Sequence, residues 1–178
     1  MNYNKNLVII DADSIVYIIA SKAKVLKLKA VGVKLLDDFI KDILISTKSN
    51  KYLGFFGKIG AKNFRYDIAV TKPYKGNRKK DKEDWYVFWE PLLKERMEVY
   101  WGFIPVDKIE ADDAVCIAAN FYRDKFNKVT VSSPDKDLLQ IENMNFYNYF
   151  NATEFYCTAD VAQQKLAIQM LMGNVLPI

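Results

Sequence analysis

The order of apolar and polar residues along the chain predicts strands and helices that alternate. Positions 7–10 form a continuous apolar run that ends at Asp11, which is typical of a buried parallel strand. Positions 35–44 repeat apolar residues at helical spacing with charged residues opposite, which predicts an amphipathic helix. Further strands are predicted at 52–56, 66–70, 128–132 and 146–150, with a turn and a short strand within 102–109. Further helices are predicted at 15–20, at 83–100 with a kink or restart at Pro91, and at 111–122, 138–141 and 159–172.

Strands that alternate with helices favour an α/β fold of three layers, in which helices flank a mostly parallel central sheet. A chain of 178 residues is long enough for one such domain to bury its own core. No internal repeat or low-complexity linker divides the sequence. We therefore expect residues 1–178 to form a single domain.

The composition is that of a globular protein, with 51% hydrophobic and 27% charged residues. The apolar runs are too short to span a bilayer, and the first residues lack the layout of a signal peptide, so we expect a cytoplasmic protein without membrane contact. The sequence contains no histidine. This absence excludes Ser-His and Cys-His nucleophile pairs and histidine-liganded zinc, which leaves carboxylates, lysines, hydroxyls and hard cations for catalysis.

Acidic residues follow three of the predicted strands. Because the carboxyl ends of parallel strands meet at one edge of a sheet, these acids are expected to converge there. Two carboxylates within about 4 Å repel each other by about 1 to 4 kcal/mol, and divalent cations relieve that repulsion. All-oxygen ligands select Mg²⁺ or Mn²⁺ over zinc, and two such ions can promote hydrolysis of a phosphodiester. The clusters are Asp11 with Asp13, Glu110 with Asp112 and Asp113, and Asp135 with Asp137.

Each of the last two acidic clusters also has an ordinary structural interpretation. Ser133, Pro134 and Asp135 are typical of a helix start, with an N-cap, a proline at the first position and an acid facing the helix dipole. The acids at 110–113 could begin the next helix in the same way. Three paired clusters, each after a strand, favour the metal site over capping alone.

A basic segment lies between the first and second acidic clusters. Its cations could neutralise nucleic-acid phosphates, and its tyrosine could stack on a base or sugar. A solvated charged loop explains the same composition equally well. The candidate nucleic-acid-binding residues are Lys72, Tyr74, Lys75, Arg78, Lys79, Lys80 and Lys82.

Four motifs in order resemble the 5′-to-3′ exonuclease and flap-endonuclease family, particularly its bacteriophage members and the 5′-nuclease domain of bacterial DNA polymerase I. They are LVIIDADS at 7–14, YKGNR at 74–78, EADDA at 110–114 and SSPDKDLLQ at 132–140. The resemblance implies a PIN-like fold and a metal-dependent 5′-to-3′ exonuclease or structure-specific endonuclease. Its substrates would be DNA with 5′ ends or flaps, or RNA–DNA hybrids, in replication or repair. It further implies possible replication-protein partners and a monomeric chain.

The resemblance also implies roles for individual residues. Lys75 and Arg78 would be catalytic contacts to the phosphate, within a basic arch or clamp at about 72–100. Asp137 would face a second metal ion, and Asp13 ranks below the other acids. The ligands of the first ion would be Asp11, Glu110, Asp112, Asp113 and Asp135.

The end of the sequence departs from the family pattern. Asn174 and Pro177 stand where the family has two further acids, so the second metal site is expected to be incomplete. The family's helix–three-turn–helix region for duplex binding has no counterpart in these 178 residues. Three alternatives therefore stay open: a catalytically impaired nucleic-acid-binding remnant or subunit, a PIN-type ribonuclease, and a haloacid dehalogenase-type phosphatase that uses the acids at 11 and 13.

Overall fold

The computed structural model of the chain describes residues 5–25, 28–68 and 82–172. Within them, one or two helices separate successive strands, except for the last two strands, which follow each other directly. The strands are β1 (Asn6–Asp11), β2 (Lys51–Gly57), β3 (Ile104–Val106), β4 (Lys128–Ser132), β5 (Met144–Asn148) and β6 (Thr153–Cys157). The helices are α1 (Asp13–Ala23), α2 (Lys29–Ser46), α3 (Arg65–Ile68), α4 (Asp84–Val99), α5 (Ala111–Tyr122) and α6 (Ala159–Met172), with a 3₁₀ helix at Lys136–Gln140.

The strands form one sheet in the order β3-β2-β1-β4-β5-β6, in which β6 is antiparallel and the other pairs are parallel. β1 is central and lies between β2 and β4. Asp11 at its end pairs in register with Phe55, while Ile10 pairs with Ser132. The expected α/β fold with a mostly parallel sheet is confirmed, and the carboxyl ends of three parallel strands meet at one edge.

Two hydrophobic layers cover the two faces of the sheet. On one face, α1, α2 and α4 bury a cluster that includes Ile15, Leu36 and Trp89. On the other, α5 and the chain after β4 bury a second cluster that includes Val115 and Leu138. Alternate residues of β1 point to opposite layers, which explains why the whole run at 7–10 is apolar.

The strand predicted at 66–70 is wrong, since residues 65–68 form the short helix α3 and residues 69 and 70 lie outside the described chain. Asn63 starts this turn, because its side chain accepts a hydrogen bond from the Arg65 amide at 3.0 Å. Tyr66 and Ile68, whose alternation suggested a strand, are instead exposed on the surface.

The kink or restart predicted at Pro91 does not divide the helix, since α4 runs as one element from Asp84 to Val99. Trp89 and Leu93, on either side of the proline, are fully buried against the first hydrophobic layer. One face of α4 thus packs into the core. The basic arch expected at 72–100 stays a prediction, since residues 72–81 lie outside the described chain. The edge strand β6 was not predicted.

No helix in the described part of the chain is long and apolar enough to cross a membrane.

Candidate metal centre

Asp11 is the most buried acid at the carboxyl edge of the sheet, with 6% of its surface exposed. The Ser133 hydroxyl donates a hydrogen bond to Asp11 Oδ2 at 2.9 Å, and the amide of Asp13 donates to Oδ1 at 3.4 Å. Burial, and to a lesser extent the charges of Asp13 and Asp112, raise the pKa of the Asp11 carboxyl to about 7. Neither hydrogen-bond donor carries a charge, so a bound cation would offset the cost of ionising Asp11.

The second acidic cluster begins α5. Glu110 and Asp113 form a reciprocal capping box, in which each side chain accepts a hydrogen bond from the other's backbone amide. The same two carboxylates are bridged by Arg65, at 2.8 Å to Glu110 Oε2 and 2.7 Å to Asp113 Oδ1. Asp112 lies between them in sequence, and these two bonds from Arg65 do not involve it. Burial first, and then the charges of Glu110 and Asp113, raise the pKa of Asp112.

The third cluster follows β4. The amide of Asp135 donates to the Ser133 hydroxyl at 3.0 Å, and the amide of Asp137 donates to Asp135 Oδ1 at 2.8 Å. Asp135, not Ser133, therefore caps the 3₁₀ helix, which corrects the ordinary interpretation of this segment. Asp137 also accepts a hydrogen bond from Gln169 of α6. Burial and the neighbouring Asp135 raise the pKa of Asp137.

Asp13 has protein partners of its own. Its Oδ1 accepts a hydrogen bond from the Gly57 amide at 3.0 Å and lies 3.7 Å from the Lys94 ammonium. Lys94 is itself buried and donates to the Gly57 carbonyl at 2.6 Å. This ion pair gives Asp13 a structural role at the end of β2, which is consistent with its lower rank among the candidate ligands.

The acids fit a hard divalent cation in kind and in placement at one edge. Asp11, Asp13 and Asp112 lie close enough for each of the other two to raise the pKa of Asp11. As the side chains are placed, however, no three acidic or thiol groups within residues 5–25, 28–68 and 82–172 form a group that could hold a metal ion. Glu110 and Asp113 are each paired with Arg65.

Most of the predicted nucleic-acid-binding residues lie outside the described chain. Lys82 is described, and its ammonium pairs with the buried Glu90 of α4 at 2.5 Å and lies 5.2 Å from the centre of the Tyr86 ring. Lys82 thus contacts two residues of α4 in this structure. The predicted residues outside the described chain are Lys72, Tyr74, Lys75, Arg78, Lys79 and Lys80.

Three residues at this edge were not predicted as part of the site. Arg65 bridges two of the acids, and Lys94 holds a third. The hydroxyl of Tyr149 donates a hydrogen bond to the main-chain carbonyl of Asp11 at 2.8 Å. None of the three stands in a motif or near its partner in sequence, so no local pattern could have indicated them.

Comparison with known proteins identifies the family. The chain is 32% identical over 111 residues to the 5′-3′ exonuclease of Buchnera aphidicola subsp. Schizaphis graminum, an alignment that covers 61% of this chain and 38% of that protein. The chain thus matches well under half of that relative's length.

Two solved structures share the fold. One is the flap endonuclease of bacteriophage T5 in a pseudo-enzyme-product complex with DNA and metal ions, with a TM-score of 0.73 and 17% identity over 96% of this chain and 67% of that one. The other is the catalytic core of Rad2 with a DNA substrate, with a TM-score of 0.52 and 14% identity over 96% and 55% of the two chains. The expected PIN-like architecture is confirmed. The model of the 5′-3′ exonuclease N-terminal, resolvase-like domain matches residues 6–166, and the chain belongs to that family.

Proposed function

We propose that the chain is a divalent-metal-dependent 5′-to-3′ exonuclease or structure-specific flap endonuclease that hydrolyses DNA phosphodiesters. The observation that carries the proposal is the buried carboxyl of Asp11 at the end of the central strand, beside Asp13 and Asp112, in a chain of the 5′-3′ exonuclease family. A fold shared with a flap endonuclease that binds DNA and metal ions supports it. Family membership favours this activity over the phosphatase alternative.

Mg²⁺, or Mn²⁺ in its place, would be held by the acids at the sheet edge. Asp11 and Asp112 are the primary candidates, because burial makes their ionisation costly. Glu110 and Asp113, which Arg65 bridges at the start of α5, would bind the same ion. Asp135 and Asp137 would complete the edge from the β4 side. When bound, the metal would stabilise negative charge on the phosphodiester and promote ionisation of water.

The protein's own groups would bind and orient the substrate. Lys75 and Arg78 remain the proposed contacts to the phosphate, with the surrounding cations of the basic segment neutralising its neighbours. A second metal ion, facing Asp137, would bind less tightly because Asn174 and Pro177 replace the expected acids. RNA–DNA hybrids as substrates, replication proteins as partners, a monomeric state and a cytoplasmic location remain predictions.

One observation favours a second candidate, a nucleic-acid-binding protein with impaired catalysis. Glu110 and Asp113 already have both Arg65 and the capping box as partners. If Arg65 replaces the metal, the chain would bind branched DNA without cutting it, and binding would weaken steeply with salt.

A cleavage assay separates the two candidates. The substrate is a 5′-labelled DNA flap, incubated with the protein in millimolar Mg²⁺, in Mn²⁺ and in EDTA, with nicked duplex, RNA–DNA hybrid and single-stranded RNA in parallel. We expect cleavage in either metal, none in EDTA, and none with Asp112→Asn, which removes one carboxylate charge at nearly unchanged volume. Binding of the flap without cleavage in both metals would support the impaired protein and contradict the nuclease.

A further inference from the structure

Arg65 connects two distant parts of the chain at the acidic edge. Its guanidinium reaches from α3 to Glu110 and Asp113, which are 45 and 48 positions away in sequence. The two contacts use different nitrogens, Nη1 and Nη2, so one planar group serves two carboxylates. All three side chains are largely shielded from solvent, with 29%, 17% and 28% of their surfaces exposed.

The backbone around Arg65 holds the guanidinium in this position. The amide of Arg65 is bound by the side chain of the buried Asn63, and the amide of Phe64 donates to the Lys108 carbonyl at 2.9 Å. The second bond ties the segment to the loop that leads directly into Glu110. Arg65 is therefore placed against the start of α5 by the fold itself.

The capping box alone would leave two acids facing each other within one helical turn. One oxygen of Asp113 accepts from the Glu110 amide at 3.1 Å, while its other oxygen accepts from Arg65. Each oxygen of Asp113 thus takes part in one of these two bonds, and a carboxylate oxygen carries two lone pairs. Arg65 thus fixes the orientation of both carboxylates and offsets one of their two negative charges, so the cluster keeps a net negative charge that attracts a cation.

We propose that Arg65 is a positioning residue for the metal-binding carboxylates at the start of α5. It holds Glu110 and Asp113 in the orientation from which a divalent cation is bound, and it contacts neither the metal nor the substrate. This inference rests on the metal site of the proposed function. Partners of this kind behind a metal ligand commonly change metal affinity by about 10- to 100-fold when they are removed.

Direct Mn²⁺ binding to the metal-free protein, measured by calorimetry and by electron paramagnetic resonance, tests the proposal without any need for activity. Arg65→Gln should weaken Mn²⁺ binding about tenfold or more. Arg65→Lys keeps the charge but lacks the two separate nitrogens that reach the two carboxylates, so the loss of Mn²⁺ affinity should be smaller yet measurable. Lys62→Gln, on the exposed part of the same loop, is the matched control and should bind Mn²⁺ as the wild type does.

Urea unfolding of the same variants without metal separates positioning from stability. A purely structural Arg65 would lower the free energy of unfolding while the folded fraction still bound Mn²⁺ with wild-type affinity, and that outcome would overturn the proposal. Tighter Mn²⁺ binding by Arg65→Gln would overturn it as well, because Arg65 would then compete with the metal. If Arg65→Gln does not fold, the Mn²⁺ affinity and the free energy of unfolding of Arg65→Lys decide between the same two outcomes. Failure of the nuclease proposal would instead appear as intact Mn²⁺ binding without cleavage.

Discussion

The hydroxyl of Ser133 donates a hydrogen bond to the carboxylate of Asp11 across 122 positions of sequence, at 2.9 Å between Oγ and Oδ2. The same hydroxyl accepts the amide of Asp135 at 3.0 Å. One side chain thus joins the acid at the end of β1 to the acidic cluster after β4. Asp11 and Ser133 are both buried, each with 6% of its surface exposed, so water cannot readily replace the bond between them.

Ser133→Ala should lower the free energy of unfolding by about 1 to 3 kcal/mol, because it leaves a buried carboxylate oxygen and a backbone amide without their partner. It should also weaken Mg²⁺ binding, since Asp11 and Asp135 lose their common support. Urea unfolding with and without Mg²⁺ measures both effects.

The adjacent Ser132 provides a matched control. Its hydroxyl is buried and has no hydrogen-bond partner among the described residues. Ser132→Ala removes the same atom one position away and should change stability by no more than about 0.5 kcal/mol, or stabilise the protein slightly. Equal losses from the two variants would contradict the role given to the Ser133 bond.

The buried Asp11 predicts a specific pH dependence of stability in the metal-free protein. Burial raises the pKa of its carboxyl from 3.8 to about 7 in the folded state. Between those values the folded chain keeps a proton that the unfolded chain has lost, so this group's contribution to stability is present below pH 4 and disappears as the pH rises through 7. Asp11→Asn cannot titrate there.

Chemical unfolding in EDTA across pH 4 to 8 measures this effect. The stability of Asp11→Asn relative to wild type should increase steadily up to about pH 7 and then level off. Added Mg²⁺ should reduce the difference at pH 8, since a bound cation favours the ionised wild-type carboxyl. Two parallel curves would show that Asp11 is not held in the protonated form by burial.

Much of the fold follows from local patterns in the sequence. The apolar run at 7–10 predicted the central strand, and the repeat within Lys29–Ser46 predicted the long helix α2, because burial on both faces or on one face leaves different apolar periods. β6 was missed because it is short and only Cys157 of its five residues is buried, so it carries no run of core residues. Tyr66 and Ile68 misled for the opposite reason, since they alternate without entering the sheet.

Of the candidate site, the sequence predicted the acidic residues but not the described basic residues that pair with them. Motif spacing indicated that Asp11, Asp112 and Asp135 would share one sheet edge, because topology brings strand ends together. It could not indicate which basic side chains pair with which acids. The pairing of Arg65 with Glu110 depends on how the loop after β2 crosses the end of β3, which is a property of the three-dimensional packing alone.

Lys94 should be far more important for stability than an ordinary lysine on a helix. It is 7% exposed, pairs with the buried Glu90 at 3.1 Å and contacts Asp13 and the Gly57 carbonyl. Removing one partner of a buried ion pair typically costs about 3 to 5 kcal/mol. Because Lys82 still neutralises Glu90, Lys94→Met should lower the free energy of unfolding by about 3 kcal/mol, near the lower end of this range.

Lys34 provides the comparison in thermal or urea unfolding. It forms the same type of pair, four residues before Asp38, but on an exposed helix surface. Lys34→Met should change the free energy of unfolding by no more than about 0.5 kcal/mol. Similar small losses for both variants would mean that the charges around Glu90 are solvated rather than buried.

The most direct test of the central claim, that the acids at the sheet edge form a metal site, is the anomalous difference density of a crystal soaked in Mn²⁺. We expect a peak at the carboxyl edge of the sheet, in contact with the carboxylates of Asp11 and Asp112, and its loss in Asp112→Asn crystals. A map with no Mn²⁺ peak at this edge would contradict it.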